Sequence, residues 1–283
     1  MVAAGGREDA AVGIAKHRST HVACIAFDIE TGPLSEPEIR RIAEPFGPDN
    51  AKDADGKKLK HPGTFIEDKV KIRNLKDRVK IADKIMLERE KHARAVETYD
   101  DDLAKAESSY WAGVIERAPL RAELGRVLAI GFYAAGKSPQ ICSGDEADVL
   151  RLFWQRFERC AGKSLKLVGF NSNGFDLPFI ARRSYLLGLP VPAAAMQQGR
   201  YWCDTFIDLL DIWRAGNRQD TISLDRLSKA FGLAGKTGSG AMFHKLWAGT
   251  EKQRAEAEAY LVNDLELTWK CAERLGLVMG GGA

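Results

Sequence analysis

Residues 24–32, Cys24-Ile25-Ala26-Phe27-Asp28-Ile29-Glu30-Thr31-Gly32, form an apolar, β-forming run broken by two carboxylates placed two positions apart. On a strand, residues two apart face the same side. Asp28 and Glu30 therefore project together, while Ile29 points to the opposite face. Residues 21–29 read as a buried strand, punctuated by Thr31-Gly32-Pro33. The stretch thus fixes an acid pair on a rigid platform.

Working outward, further acids sit in stretches whose periodicity can aim them at a common point. Asp176 lies in GFNSNGFDLPFI (169–180), after a strand and turn and where a helix begins. Tyr260 and Asp264 lie in AYLVNDLELT (259–268), four apart, and so share one face of a long helix. Several carboxylates packed together repel one another and raise each other's pKa values. Divalent cations reverse that sign, and hard oxygen donors are what a pair of Mg²⁺ or Mn²⁺ ions requires. Tyrosine, with an ordinary pKa near 10, is a poor base at neutral pH. Its expected role is to orient a water by hydrogen bonding.

The rest of the chain reads as strands at 126–134, 140–143 and 165–170, and helices at 145–160, 177–187, 205–213, 224–231 and 251–275. Ser223 caps the fourth helix and Gly276 ends the fifth. Residues 35–124 differ in character, loop-like through Pro37, Pro45, Pro48 and Pro62 and helical over about 68–111. The order predicts an α/β fold, a mixed sheet flanked by helices, with a largely helical insertion (35–124) after the first strand. The expected organisation is a flexible tail over 1–20, one domain over 21–276 and a short tail over 277–283.

Composition is that of a globular chain, with 283 residues, 45% hydrophobic, 29% charged and net charge +3. The runs VACIAF and GRVLAIGFYAA are too short to cross a bilayer and the N-terminus lacks a signal-peptide stretch. A soluble, cytoplasmic protein without membrane contact is expected. Five scattered cysteines, without a Cys-x-x-Cys pair, argue against a disulfide framework and a zinc site, and the five histidines show no ligand spacing. Any metal should be oxygen-bound. The strip from Lys69 to Arg94 is locally basic, with Lys71, Arg73, Lys76, Arg78, Lys80, Lys84, Arg89 and Lys91, and reads as a solvated face or a nucleic-acid contact.

Taken in order and with their flanks, these motifs resemble the DEDD superfamily of 3′–5′ exonucleases, in its tyrosine form. Within it they are similar to the proofreading-exonuclease domain of family B DNA polymerases and its stand-alone relatives. FDIETG is similar to the first motif, GFNSNGFDLPFI to the second, and the Y-x-x-x-D of Tyr260 and Asp264 to the third. DTFIDLLDIW, SLDRLSKAFGLAGKTGSGA and HKLWAG, between the last two, also resemble the stand-alone relatives. The resemblance covers roughly residues 21–34 and 125–275 and implies an RNase H-like fold with two-metal phosphodiester hydrolysis, single-stranded DNA favoured over RNA. It implies Asp28, Glu30, Asp176 and Asp264 as metal carboxylates and Tyr260 as the water-orienting residue. Thr31 and Asn171 are its substrate-contacting positions; Phe175 reads as an apolar contact near the terminal nucleotide or as core packing, and Lys236 as a phosphate contact or a solvated loop lysine. Residues 35–124 exceed what that family needs, so a lid, a duplex-binding arm or a protein-partner surface is expected there. No polymerase segment follows, so an editing role is expected to act in trans or in another pathway.

Two rivals remain. Residues 131–138 (GFYAAGKS) formally satisfy the phosphate-loop pattern of nucleotide hydrolases, but such a loop turns from a strand into a helix. Here Pro139 and a β-like run follow, which reads as a hairpin with Gly136 in the turn. The other rival is a catalytically silent nucleic-acid binder of the same fold, against which all five chemical positions stand intact.

Overall fold

The computed structural model describes residues 23–278 apart from 54, 73, 74, 164, 197–202 and 239, so the expected N-terminal tail lies outside the described residues. Five strands, β1 (Ala23–Pro33), β2 (Gly125–Tyr133), β3 (Gln140–Ser143), β4 (Leu165–Gly169) and β5 (Phe206–Asp208), form one sheet in the order β3-β2-β1-β4-β5. β1 to β3 pair antiparallel in sequence, whereas β4 and β5 add parallel on the other side of β1. This is the mixed sheet of an RNase H-like fold.

β1 is central and covered on both faces, which is why its sequence lacks clean alternation. Phe27 and Ile29 point into a core formed with helices α3 (Glu146–Cys160) and α4 (Asp176–Leu186), named here after α1 (Glu36–Ile42) and α2 (Arg78–Arg117). There Phe27 meets Phe153, with ring centroids 5.6 Å apart. Cys24 and Ala26 point the other way. They pack with the last helix, α8 (Glu251–Arg274), which follows α5 (Leu209–Arg214), α6 (Leu224–Ala230) and α7 (Phe243–Trp247). Asp28 and Glu30 continue this second parity and so face α8.

The sequence reading needs correction in four places. Thr31-Gly32-Pro33 does not end β1: a register shift between Glu30 and Thr31 lets the strand continue, pairing Thr31, Gly32 and Pro33 with Val127, Arg126 and Gly125. Such bulges re-aim side chains without ending the ladder. Residues 205–213 are not one helix, because Phe206–Asp208 joins the sheet and Asp208 then caps α5 by accepting from the Leu210 amide. Its short apolar run satisfies both periods, and the open edge of β4 decides between them. The insertion's helix spans Arg78–Arg117 as a single 40-residue element, starting later than 68 and passing 111. Finally, Val278 is buried beside Cys24 and Leu267, so ordered packing reaches past 277.

Among the described residues, α2 has its buried positions, Ala106 and Trp111, in its C-terminal half. Ile39, Ala118 and Leu124 form a small core beneath it, the Arg40 guanidinium sits 4.4 Å from the Trp111 ring, and the Tyr110 hydroxyl donates to the Glu44 carbonyl at 2.6 Å. Its N-terminal half exposes Val79, Met86 and Leu87. The preceding segment lies along it through His61 against Tyr99, Phe65 against His92 and the Glu67–Arg89 ion pair.

Residues 131–138 form the β2–β3 hairpin rather than a phosphate loop. Gly131 is the close approach of α8, since an added Cβ would lie 2.6 Å from Leu265 Cδ1, and Gly136 adopts φ +72° in the turn. Among the described residues the cysteines are free, and no helix is long and apolar enough to cross a membrane.

Candidate active site

The parity of β1 and the four-residue spacing on α8 bring the acids together. Carboxylate oxygens of Asp28, Glu30 and Asp264 lie within 4.8 Å of one another. Asp176, at the first position of α4, sits beside them. Its Oδ1 accepts from the Ile29 amide at 3.2 Å, and Asp28 and Asp176 both line a neighbouring hollow.

Two features hold Asp176 there. The Arg183 guanidinium, on the same helix, binds Glu146 of α3 through paired contacts of 2.9 and 2.7 Å and donates to the Ala122 carbonyl at 3.1 Å. This buried fork pins α4 to α3 and to the start of β2. Asp208 fixes the loop before α4, accepting from the amides of Asn171 and Asn173 at 2.8 Å each. Asn171 itself takes φ +57°, a left-handed conformation that asparagine tolerates. The organising role of Asp208 escaped the sequence reading, which set it inside a helix; the Asp-Leu-Leu sequence after an apolar pair is the cap signal that reveals it.

Burial is the first cause of the site's electrostatics. It pushes Asp28, Glu30, Asp176 and Asp264 above the usual carboxylate range, Asp176 to about 7, and like-charge neighbours push Asp28 and Glu30 further. Lys236, on the loop before α7, is the counter-charge. Its Nζ donates to Asp264 Oδ2 at 2.5 Å and to the Tyr260 hydroxyl at 3.1 Å. Burial alone would lower the Lys236 pKa, but Asp264 and Tyr260 outweigh it and hold the ammonium charged. Burial and Asp264 push Tyr260 up, so its phenol stays neutral at physiological pH.

The donor set suits a divalent cation. The ligands are hard carboxylate oxygens, four acids face one lysine, and Asp264 Oδ1 is buried without a hydrogen-bond partner. An orphaned buried carboxylate oxygen is costly in a protein interior, and a cation is the partner that satisfies it.

The remaining expected positions separate. Phe175 lines the cleft and packs on Phe179 at 5.5 Å. Asn171 borders the neighbouring hollow together with Arg214. Thr31 also lines the cleft; it is mostly buried, and its hydroxyl donates to the Pro119 carbonyl at 2.7 Å, tying β1 to the end of the insertion. Lys236 lies inside the acid cluster rather than on a solvated loop. The cleft, of about 700 Å³, has a wall that the sequence reading did not assign: Ile115, Pro119 and Leu120 from the end of the insertion face Met242, His244 and Lys245 across the acids. The insertion therefore builds part of the site.

Residues 121–280 match the family described as "Predicted 3'-5' exonuclease related to the exonuclease domain of PolB". That span carries Asp176, Lys236, Tyr260 and Asp264, while β1 with Asp28 and Glu30 precedes it. No curated protein matches. Among solved structures, the family B DNA polymerase of the hyperthermophilic archaeon Pyrobaculum calidifontis is similar at 22% identity over 56% of this chain, with a TM-score of 0.47. The match covers 23% of the polymerase chain, a small part of that protein. With more than half of its length matched, the chain belongs to the family of predicted 3′–5′ exonucleases related to the exonuclease domain of PolB.

Proposed function

We propose that the protein is a divalent-metal-dependent 3′–5′ exonuclease that hydrolyses phosphodiester bonds at the 3′ end of single-stranded or frayed DNA. The observation that carries this reading is the convergence of Asp28, Glu30 and Asp264 on one point beside Asp176, with Asp264 Oδ1 unpartnered. Asp28, Glu30, Asp176 and Asp264 are the residues that would hold a pair of Mg²⁺ or Mn²⁺ ions. When bound, the ions supply an activated water as nucleophile and charge stabilisation for the leaving oxygen.

The chain's own residues do the rest. Tyr260, kept neutral, orients the attacking water by hydrogen bonding and does not deprotonate it. Lys236 is within reach of both Tyr260 and the acids and offers a positive charge to the scissile phosphate. The apolar wall of Ile115, Pro119, Leu120 and Met242 suits the faces of an unstacked base, with Phe175 beneath it. Asn171 borders the path of the strand, and Thr31 acts by holding the cleft wall to β1. His244, which burial keeps below its ordinary pKa, and Lys245 flank the far side. DNA is favoured over RNA because the family is related to a DNA polymerase's exonuclease domain.

The test is degradation of a labelled oligonucleotide in Mg²⁺ or Mn²⁺ by wild type and by Asp28→Ala. Loss of degradation in the variant and with EDTA is expected. Equal rates in both proteins, or indifference to EDTA, would remove the proposal.

A further inference from the structure

The long helix is divided by charge. Its N-terminal part carries Arg78, Lys80, Lys84, Arg89, Lys91 and Arg94 against Asp83, Glu88 and Glu90. From residue 95 to the end it carries Glu97, Asp100, Asp101, Asp102, Glu107 and Glu116 against Lys105 and Arg117. The basic part and the segment packed on it enclose a hollow of about 740 Å³, lined by Lys69, Lys71, Lys84, Lys91, His92 and Phe65. Among the described residues Lys69, Lys71 and Lys84 make no ion pair, and Lys91 shares the one acid of the hollow, Glu88, at 3.0 Å. The strip that reads in sequence as either a solvated face or a contact is thus a concave cluster of cations around an aromatic ring. Arg73 lies outside the described residues.

Its distance from the acids is set by the helix itself. Ile115 lines the cleft, and 24 to 31 residues separate it from Lys91 and Lys84. At 1.5 Å per residue that is about 36–47 Å along the axis. At 3.4 Å per base pair the same span is about 11–14 base pairs. Duplex DNA, with a persistence length of about 150 base pairs, bridges such a gap as a rod. The acidic half of α2 lies between and repels phosphates, so contact is made at the two ends and not along the middle.

We propose that this basic hollow binds the phosphate backbone of duplex nucleic acid about one helical turn upstream of the 3′ end engaged in the cleft. The inference rests on the nuclease reading and specifies its substrate: a duplex with an unpaired 3′ end. Lys69, Lys71 and Lys91 are exposed and Lys84 is half-buried, and none of the four lines the cleft, so they act on binding and not on hydrolysis.

Fluorescence anisotropy in EDTA tests it, with duplexes of 8 and 18 base pairs bearing the same unpaired 3′ tail. Wild type should bind the longer duplex at least tenfold more tightly. A variant with Lys69, Lys71, Lys84 and Lys91 each changed to Gln should bind both alike, with a slope of log K against log salt shallower by about 3–4, about 0.9 per lost phosphate contact. Unchanged helicity and Tm would show that the variant is folded. Equal wild-type affinity for the two lengths, or an unchanged salt slope in the folded variant, overturns the proposal. Cleavage of a short single-stranded oligonucleotide, measured separately, tests the nuclease reading alone and should survive in the variant.

Discussion

Lys236 Nζ and Asp264 Oδ2 lie 2.5 Å apart, with the Tyr260 hydroxyl 3.1 Å from the same ammonium, so a resident cation neutralises part of the acid cluster. The contact joins the loop before α7 to α8 over 28 residues of sequence. It makes the metal-free site tolerable and leaves Asp264 Oδ1 as the atom still seeking a partner.

Lys236→Met should therefore weaken the metal-free protein. Removing one member of a fully buried ion pair costs about 3–5 kcal/mol, and with the lysine 27% exposed about 1–3 kcal/mol is expected. Melting at pH 8 in EDTA checks this, and Lys236→Arg should recover most of the loss. An unchanged Tm in the Met variant would show that the pair contributes nothing.

The raised carboxylate pKa values fix the sign of a pH effect. Asp176 titrates near 7 in the folded state against an ordinary 3.8, so between these values the folded state keeps a proton that the unfolded chain releases. Stability of the metal-free protein falls as pH rises through that window, and the upward shifts of Asp28, Glu30 and Asp264 act in the same direction. Tm in EDTA should drop between pH 5 and pH 8, and Mn²⁺ should raise it more at pH 8. Asp176→Asn should flatten the slope; a wild-type Tm that climbs over this range contradicts the account.

Asp208 should behave as a positioning residue. Asp208→Ala leaves the amides of Asn171, Asn173 and Leu210 without their acceptor; the Leu210 bond is buried and costs about 1–3 kcal/mol, and the two part-buried amides, which water can reach, add less, so a loss of about 2–4 kcal/mol is expected. Activity should fall with it, because the loop leading to Asp176 loosens. Asp208→Asn, which keeps one acceptor, should lie between. Hydrogen exchange localises the effect to residues 171–176 if the reasoning holds.

The hairpin at 131–138 gives a contrast. Gly131→Ala pushes a methyl against Leu265 and Leu261 and should cost about 1–3 kcal/mol. Lys137→Ala, on an exposed turn, should shift stability by less than about 0.5 kcal/mol and leave nuclease activity intact. Nucleotide hydrolysis lost in Lys137→Ala would point to the rival phosphate-loop reading.

Much of this site was legible in sequence because periodicity carries direction. Two-residue spacing on β1 gives Asp28 and Glu30 one face and four-residue spacing on α8 gives Tyr260 and Asp264 another, and the ordered flanking motifs join the two pairs. What was not legible depends on contacts between distant segments. β5 looks helical until the edge of β4 is present to pair with it, and no local signal shows that the Thr31 hydroxyl donates to Pro119, 88 residues away. Lys236 reads as a loop lysine because nothing local reveals that Asp264, 28 residues away, draws it inward. The insertion's part in the cleft was hidden in the same way, since Leu120 reaches the site only because β1 and β2 bring its root there.

The central claim is directional, metal-dependent hydrolysis from a 3′ end, and product analysis on one oligonucleotide labelled separately at each end tests it most directly. In Mg²⁺ or Mn²⁺ the 5′ label should run as a descending ladder while the 3′ label is released at once as a mononucleotide, both stopped by EDTA. Early release of the 5′ label as a mononucleotide, or internal cuts with no ladder, would contradict it.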